Sequence, residues 1–164
     1  MLAAVAEGDV IIEHPNRDRP ESHAARAIVV GLLLASAAVL AIVTVGGWSK
    51  IQGAKPVQVA FVLVYVVLAL YVARWRSGVL PVAASFAIIL LIFCAISGPQ
   101  WFSRDKAGFE DPLLDESVLG ALTVALVPLQ LALIVAAARG FAQKWSVEIE
   151  RRIGGPPAYV AHTR

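Results

Sequence analysis

Four long stretches of the chain contain no charged residue, and the charged residues gather between them. The uncharged stretches are 27–47, 57–73, 79–97 and 118–138, each 17 to 21 residues long. An α-helix rises about 1.5 Å per residue, so about 20 residues cross the roughly 30 Å hydrocarbon core of a bilayer. No face of these segments carries the charged groups that a surface helix of a soluble protein turns towards water. The pattern therefore predicts four membrane-spanning helices.

Short polar segments mark where the predicted spans begin and end. Arg74-Trp75-Arg76-Ser77-Gly78 separates the second span from the third and predicts a tight turn, and Gly98-Pro99 predicts the end of the third. Gly31 with Ala35, and Ala37 with Ala41, place small residues four apart, which either lets helices approach closely or arises by chance in an Ala-rich span. The predicted organisation is a tail over 1–26, a four-helix domain over 27–138 and a final segment over 139–164.

The final segment carries a periodic pattern of its own. Three apolar residues recur at four-residue spacing, opposite three charged ones: Phe141, Trp145 and Ile149 against Lys144, Glu148 and Arg151. This spacing predicts an amphipathic helix, which either lies in the membrane interface or docks on a partner. The fold class predicted as a whole is all-α, a four-transmembrane-helix bundle with a C-terminal amphipathic helix.

Composition agrees with a membrane protein and narrows its partners. The chain has 164 residues, of which 59% are hydrophobic, and its mean hydropathy is +0.74. The formal net charge is +2 and no basic cluster is present, so we expect no nucleic-acid partner. A single cysteine, Cys94, gives neither a disulfide framework nor a cysteine-based metal motif.

The distribution of cations predicts the orientation. With the N-terminus inside, ten Lys and Arg residues fall on the cytoplasmic side and four fall outside. Cytoplasmic loops are enriched in these residues, so both termini are expected in the cytoplasm. Ten Arg against four Lys, with abundant Ala and Val, favour a GC-rich bacterial genome and hence a multi-pass protein of the plasma membrane.

The fourth span contains the polar residues that we expect to matter most within the membrane. Pro128 removes the amide that would bond to the Val124 carbonyl, and Gln130 follows two residues later. Thr123 and Gln130 are seven residues apart and share a helix face. A glutamine in the membrane needs hydrogen-bond partners, so Thr123, Pro128 and Gln130 are predicted to face another helix. The alternative is a ligand or ion site at a broken helix.

The connection between the third and fourth spans is acidic. It contains Asp105, Glu110, Asp111, Asp115 and Glu116, with Arg104 and Lys106 as its only cations. Two interpretations remain open: a docking surface for a cationic partner, or a solvated loop. Asp115 or Ser117 is expected to cap the fourth helix.

Function is constrained mainly by what the spans lack. Pumps and ion-coupled transporters usually place Asp, Glu, Lys, Arg or His within the membrane, and these spans contain none of the five. No span contains His and the only Met is Met1, which argues against haem, and we expect neither a metal nor another cofactor. No recognisable catalytic set is present, so the chain is not expected to be an enzyme.

The leading hypothesis is a non-catalytic accessory or assembly subunit of a larger membrane complex. Its expected partners are the lipid bilayer and either other proteins of the complex or copies of itself. Asp105, Glu110, Asp111, Asp115, Glu116, Phe141, Trp145 and Ile149 are the candidate docking residues. The alternative is an oligomeric small-solute transporter or channel that uses the polar stripe of the fourth helix. A membrane enzyme acting through the acidic loop is a third, less supported hypothesis.

Overall fold

The computed structural model describes residues 10–51, 53–102 and 112–152, which form four long helices and one short sheet. The elements in chain order are β1 (Val10–Glu13), α1 (Pro20–Gly46), α2 (Lys55–Ala73), α3 (Leu80–Trp101), α4 (Glu116–Ala142) and β2 (Ile149–Arg152), with a single 3-10 turn at Ser77–Val79. All four helices are long and apolar enough to span a membrane. The prediction of an all-helical four-span protein is therefore confirmed at this level.

Each helix starts at a residue suited to a first turn. Proline lies in the first turn of three helices, at Pro20, Pro56 and Pro81, where its missing amide has no intrahelical partner to lose. At α4 the Asp115 carboxylate accepts from the Ser117 amide at 2.8 Å and also from the Ser117 hydroxyl. Asp115 is thus the residue that caps α4.

Two of the helices contain an internal proline, Pro99 in α3 and Pro128 in α4. Our prediction that Gly98-Pro99 ends the third helix is wrong, because α3 continues to Trp101. Pro99 lies in the last turn, where it removes one backbone hydrogen bond and leaves Gln100 and Trp101 able to complete the helix. Pro128 lies inside α4, which continues past it to Ala142.

The packing order of the helices differs from their chain order. α1 packs against both α2 and α4, and α3 packs most extensively on α4, whereas α2 and α3 make little contact although a short turn joins them. We call the end of the bundle with the α1–α2 and α3–α4 connections the loop end. The opposite end, where α1 begins and α4 finishes, is the terminus end.

Glycine allows a close approach of α3 to α4. A Cβ added at Gly98 would lie 2.9 Å from Val124 Cγ2, so that contact requires glycine. At Gly31 a Cβ would meet nothing within 4 Å, and both Gly31 and Ala35 are exposed. Their four-residue spacing therefore marks no helix contact among the residues that the structure describes. Ala37, in contrast, is buried in the core.

The turn between α2 and α3 closes in an unusual backbone conformation. The Trp75 amide donates to the Val72 carbonyl and the Arg76 amide to the Tyr71 carbonyl, both at about 3 Å, which is the Schellman pattern. Trp75 has φ 62°, at the position where this pattern normally takes glycine. A left-handed conformation costs a non-glycine residue roughly 1–2 kcal/mol. Contacts of the Trp75 ring must therefore stabilise the turn.

The segment after α4 is not a helix, so the predicted C-terminal amphipathic helix is wrong. α4 ends at Ala142, Lys144 has φ 48°, and Ile149–Arg152 forms β2. β2 pairs antiparallel with β1, with Val10 opposite Arg152 and Glu13 opposite Ile149. The left-handed residue redirects the chain, and pairing with a segment from the start of the chain then supplies backbone hydrogen bonds in place of helical ones.

Candidate functional site

A buried set of three polar side chains joins α1, α2 and α4 in the middle of the bundle. The Tyr65 hydroxyl donates to Gln130 Oε1 at 2.7 Å, and Gln130 Nε2 donates to Ser36 Oγ at 3.0 Å. Gln130 is 0% exposed. Both ends of its amide are thus used by side chains of two other helices. We call Ser36, Tyr65 and Gln130 the polar triad.

The other two residues of the predicted stripe have different surroundings. The Thr123 hydroxyl donates to the Leu119 carbonyl of its own helix at 2.8 Å, so it does not bridge helices. Pro128 is exposed on the outside of the bundle. Of the stripe, only Gln130 bonds to another helix. Its partners Ser36 and Tyr65 were missed by the sequence analysis, because a single serine and tyrosine in apolar spans give no local signal.

A cavity of about 1000 Å³ lies between the four helices at the loop end. α2 and α3, which make little contact with each other, both contribute to its wall. Its lining is mainly apolar and includes Leu40, Val43, Ile51, Ala54, Val57, Phe61, Leu90, Phe93, Cys94, Ile96, Trp101 and Leu126. Lys50, Gln58, Ser97, Gln100 and Thr123 supply polar atoms. Ligand sites in proteins commonly have volumes of about 300–1,000 Å³, and this cavity lies at the upper end of that range.

The cavity reaches about half-way through the membrane. Leu126, among the deepest lining residues, lies ten residues after the start of α4 at Glu116. At about 1.5 Å per residue this corresponds to a depth of about 15 Å. Phe61 reaches across from α2 to α3, with its ring centroid 5.7 Å from that of Phe86 and 6.1 Å from that of Phe93. Phe61 and Phe93 line the cavity, and Phe86 does not.

Unfilled volume of this kind is costly. Packed protein interiors leave few voids larger than a water molecule. Water, a lipid chain or side chains of a partner must occupy this space in the membrane. The cavity is therefore a candidate binding site.

One cation lines the cavity at its mouth. The Lys50 side chain is 5% exposed, and its Nζ lies 3.3 Å from Glu116 Oε1. Lys50 belongs to the cavity lining, whereas Glu116 approaches it from outside the lining. Nearby, Thr44 Oγ1 lies 2.6 Å from the Leu40 carbonyl oxygen and 3.0 Å from the Gln58 side-chain amide. The Gln58 amide is thus oriented by α1 at the edge of the cavity.

The acidic docking residues predicted between α3 and α4 have separate positions. Asp105, Glu110 and Asp111 lie outside the described residues. Asp115 caps α4, where hydrogen bonds from the Ser117 hydroxyl and amide hold the pKa of its carboxyl below the usual value. Glu116 pairs with Lys50. The two described acids therefore serve the start of α4, and neither belongs to an acidic patch within the described part of the chain.

The terminus end is closed by a cluster of two tryptophans, a histidine and an arginine. Trp75 makes edge contacts with His23 at 4.9 Å and with Trp145 at 5.5 Å, measured between ring centroids. The Arg26 guanidinium lies 4.4 Å from the centroid of the Trp75 ring and donates to the Ala73 carbonyl at 2.9 Å. We call His23, Arg26, Trp75 and Trp145 the tryptophan cap. Its contacts stabilise the left-handed conformation of Trp75.

Side-chain contacts beside the tryptophan cap also join the segment before α1 to the segment after α4. The Asn16 side chain donates to the Lys144 carbonyl, and Arg17 Nε donates to the Trp145 carbonyl, both at 3.1 Å. His14 Nε2 lies 3.4 Å from Glu148 Oε1. The segment before α1 and the segment after α4 are thus joined by side chains as well as by the strand pairing. We call β1 and β2, with these connecting residues, the terminal platform.

The three apolar residues of the predicted amphipathic face do not share one surface. Trp145 is 0% exposed, Phe141 is 53% exposed, and Ile149 is half-buried in β2. Four-residue spacing places residues on one face only within a continuous helix, and α4 ends at Ala142. Trp145 belongs to the tryptophan cap, and Phe141 projects from the last turn of α4.

The His, Cys, Asp and Glu side chains of the described residues are dispersed. Over 10–51, 53–102 and 112–152, no group of three or more His, Cys, Asp or Glu side chains could hold a metal ion. The four helices fit a multi-pass membrane protein. Comparison of the chain with protein-family models, curated proteins and solved structures finds no match.

Proposed function

We propose that this protein is a non-catalytic accessory or assembly subunit of a larger membrane complex, and that it binds its partner through the terminal platform. The proposal includes a bacterial plasma membrane as its location, with both termini in the cytoplasm. The ten-to-four distribution of cations supports this orientation. The terminal platform then faces the cytoplasm.

The observation that carries the proposal is the two-stranded sheet formed by segments from both ends of the chain. β1 and β2 are the only strands among the described residues, so β2 has no second strand beside it there. An isolated two-stranded sheet is marginally stable in water. An extended segment of another protein can add to such an edge through backbone hydrogen bonds. The platform therefore supports docking by strand addition on β2.

The polar triad favours this proposal over transport. Both ends of the Gln130 amide are bonded to Ser36 and Tyr65, so its hydrogen bonds are used in helix packing. The cavity at the loop end has Phe61 and Thr123 in its lining but not Gln130. A transporter or channel would need a pathway through the whole bundle, and the cavity reaches only about half-way.

Site-specific photo-crosslinking in the native membrane tests the proposal. A photoreactive amino acid at Ser146, which is exposed beside Trp145, should cross-link to one protein of fixed identity. The control position is Leu63, exposed on the lipid-facing side of α2, where cross-links to lipid are expected. Cross-links from Ser146 only to lipid, or only to other copies of this chain, would overturn the docking role.

A further inference from the structure

The cavity at the loop end has the features of a lipid site, and this goes beyond the proposed function. Its lower part is apolar and aromatic, with Leu40, Phe61, Leu90 and Leu126 among its lining residues. Its mouth carries Lys50 together with the amides of Gln58 and Gln100. A molecule that fits both parts has an apolar chain and a polar head.

The position of the cavity identifies the source of such a molecule. α2 and α3 make little contact, so the cavity opens sideways between them towards the hydrocarbon of the bilayer. Phe93 and Ile96 line this opening and are both about half exposed. The molecules that meet this opening are membrane lipids, whose chains enter without leaving an apolar environment.

Charge complementarity selects the kind of head group. Among the described residues that line the cavity, Lys50 is the only charged one, and its ammonium also pairs with Glu116 outside the lining. A phosphate at the mouth of the cavity would share the Lys50 ammonium with Glu116 and lie near the side-chain amides of Gln58 and Gln100. The Trp48 ring and the Lys55 ammonium, 4.8 Å apart, lie at the same end of the bundle, as is typical of residues at the head-group level.

We propose that the cavity binds one phospholipid from the surrounding bilayer, with its phosphate at Lys50 and one acyl chain between α2 and α3, down to Phe61. The lipid fills the volume between α2 and α3. The bound lipid is thus part of the folded structure.

Native mass spectrometry of the wild-type protein in detergent provides the first test. Delipidated protein is titrated with dioleoyl phosphatidylglycerol and, separately, with dioleoylglycerol, which has the same chains and no phosphate. One phosphatidylglycerol should remain bound per chain, with an affinity about tenfold above that for dioleoylglycerol, as expected for a charge-assisted contact. Failure of the wild type to retain a phospholipid overturns the proposal, and equal affinity for the two lipids overturns the role of the phosphate.

Paired substitutions locate the bound lipid. Ser97→Trp places a large side chain in the cavity wall, whereas Ala95→Trp adds the same side chain to an exposed position of α3 outside the lining. Phosphatidylglycerol affinity should fall by about tenfold or more in Ser97→Trp and stay within about twofold in Ala95→Trp. Equal affinities in both variants would show that the lipid binds elsewhere and overturn the proposal.

A second pair of substitutions, on the opposite wall of the cavity, provides the same test if Ser97→Trp does not fold. Val57→Trp lies in the lining on α2, and Val59→Trp, two residues later, is exposed outside the lining. The same difference in phosphatidylglycerol affinity is expected between these two variants. The wild-type titration decides the proposal even if no lining variant folds.

Discussion

Replacing Gln130 with leucine removes both hydrogen bonds of the polar triad and leaves the rest of α4 unchanged. In the wild type, Gln130 accepts from Tyr65 at 2.7 Å and donates to Ser36 at 3.0 Å. Leucine has a similar size and suits an apolar interface, so the variant should still fold. The Tyr65 and Ser36 hydroxyls, however, lose their partner in the middle of the membrane.

The expected loss of unfolding free energy follows from the number of hydrogen bonds that the substitution removes. Side-chain hydrogen bonds between membrane helices contribute about 0.6 kcal/mol on average and up to about 1.7 kcal/mol. Two such bonds give a loss of about 1 to 3 kcal/mol in the free energy of unfolding for Gln130→Leu. A hydroxyl left without a partner adds to this cost. The triple variant Gln130→Leu, Tyr65→Phe, Ser36→Ala should recover part of the loss, because it leaves no polar group unpaired.

Unfolding in mixed micelles, followed by circular dichroism, measures these differences. Gln58→Leu is the matched control, because Gln58 is half-buried at the cavity and its side chain contacts only Thr44 in the described hydrogen bonds. Gln58→Leu should lower the free energy of unfolding by less than Gln130→Leu does. A double-mutant cycle between Gln130 and Tyr65 should give a coupling of at least about 0.6 kcal/mol. Additive effects of the two substitutions, or unchanged stability in Gln130→Leu, would refute the role of the triad.

Three further predictions test other parts of the structure. Trp145→Ala should cost about 3–5 kcal/mol in unfolding free energy and expose the terminal platform to protease, whereas Phe141→Ala, at an exposed position, should do neither. Gly98→Ala should destabilise the α3–α4 contact, while Gly31→Ala, which meets no neighbour, should stabilise α1 by about 0.5–1 kcal/mol; thermal unfolding measures both. Asp115→Ala should speed hydrogen exchange at the start of α4. Because the folded state lowers the pKa of Asp115, its contribution is present at neutral pH and is lost as the pH falls below the ordinary value of the carboxyl, so wild type and variant should converge in acid.

The membrane-spanning helices were accessible to sequence reasoning because their signal is local. The absence of charge over 17 to 21 residues depends on the bilayer alone and needs no knowledge of packing. The capping of α4 by Asp115 is local in the same way. The need of Gln130 for a partner could also be inferred, since a buried amide must be hydrogen-bonded. Which residues supply the partners depends on helix packing, and Ser36 and Tyr65 could not be identified.

The terminal platform and the cavity could not be predicted, because both depend on contacts between distant parts of the chain. The pairing of Ile11 with Arg151 joins opposite ends of the sequence, and four-residue strands carry too little pattern to be recognised. The spacing of Phe141, Trp145 and Ile149 fits a helix, and only the left-handed Lys144 ends that pattern. The cavity depends on the packing of α1 on α4 and on the small contact between α2 and α3. The sequence of one span alone does not indicate how the helices pack.

The mass and composition of the native assembly test the central claim most directly. The tagged full-length chain is extracted from its own membrane into polymer nanodiscs, and its mass and bound subunits are determined by native mass spectrometry. We expect a complex of fixed stoichiometry that contains at least one other protein, cross-linked from Ser146 and lost when the terminal platform is disrupted. An assembly that contains only this chain and lipid, at every level of expression down to the native one, would contradict the proposal of an accessory subunit.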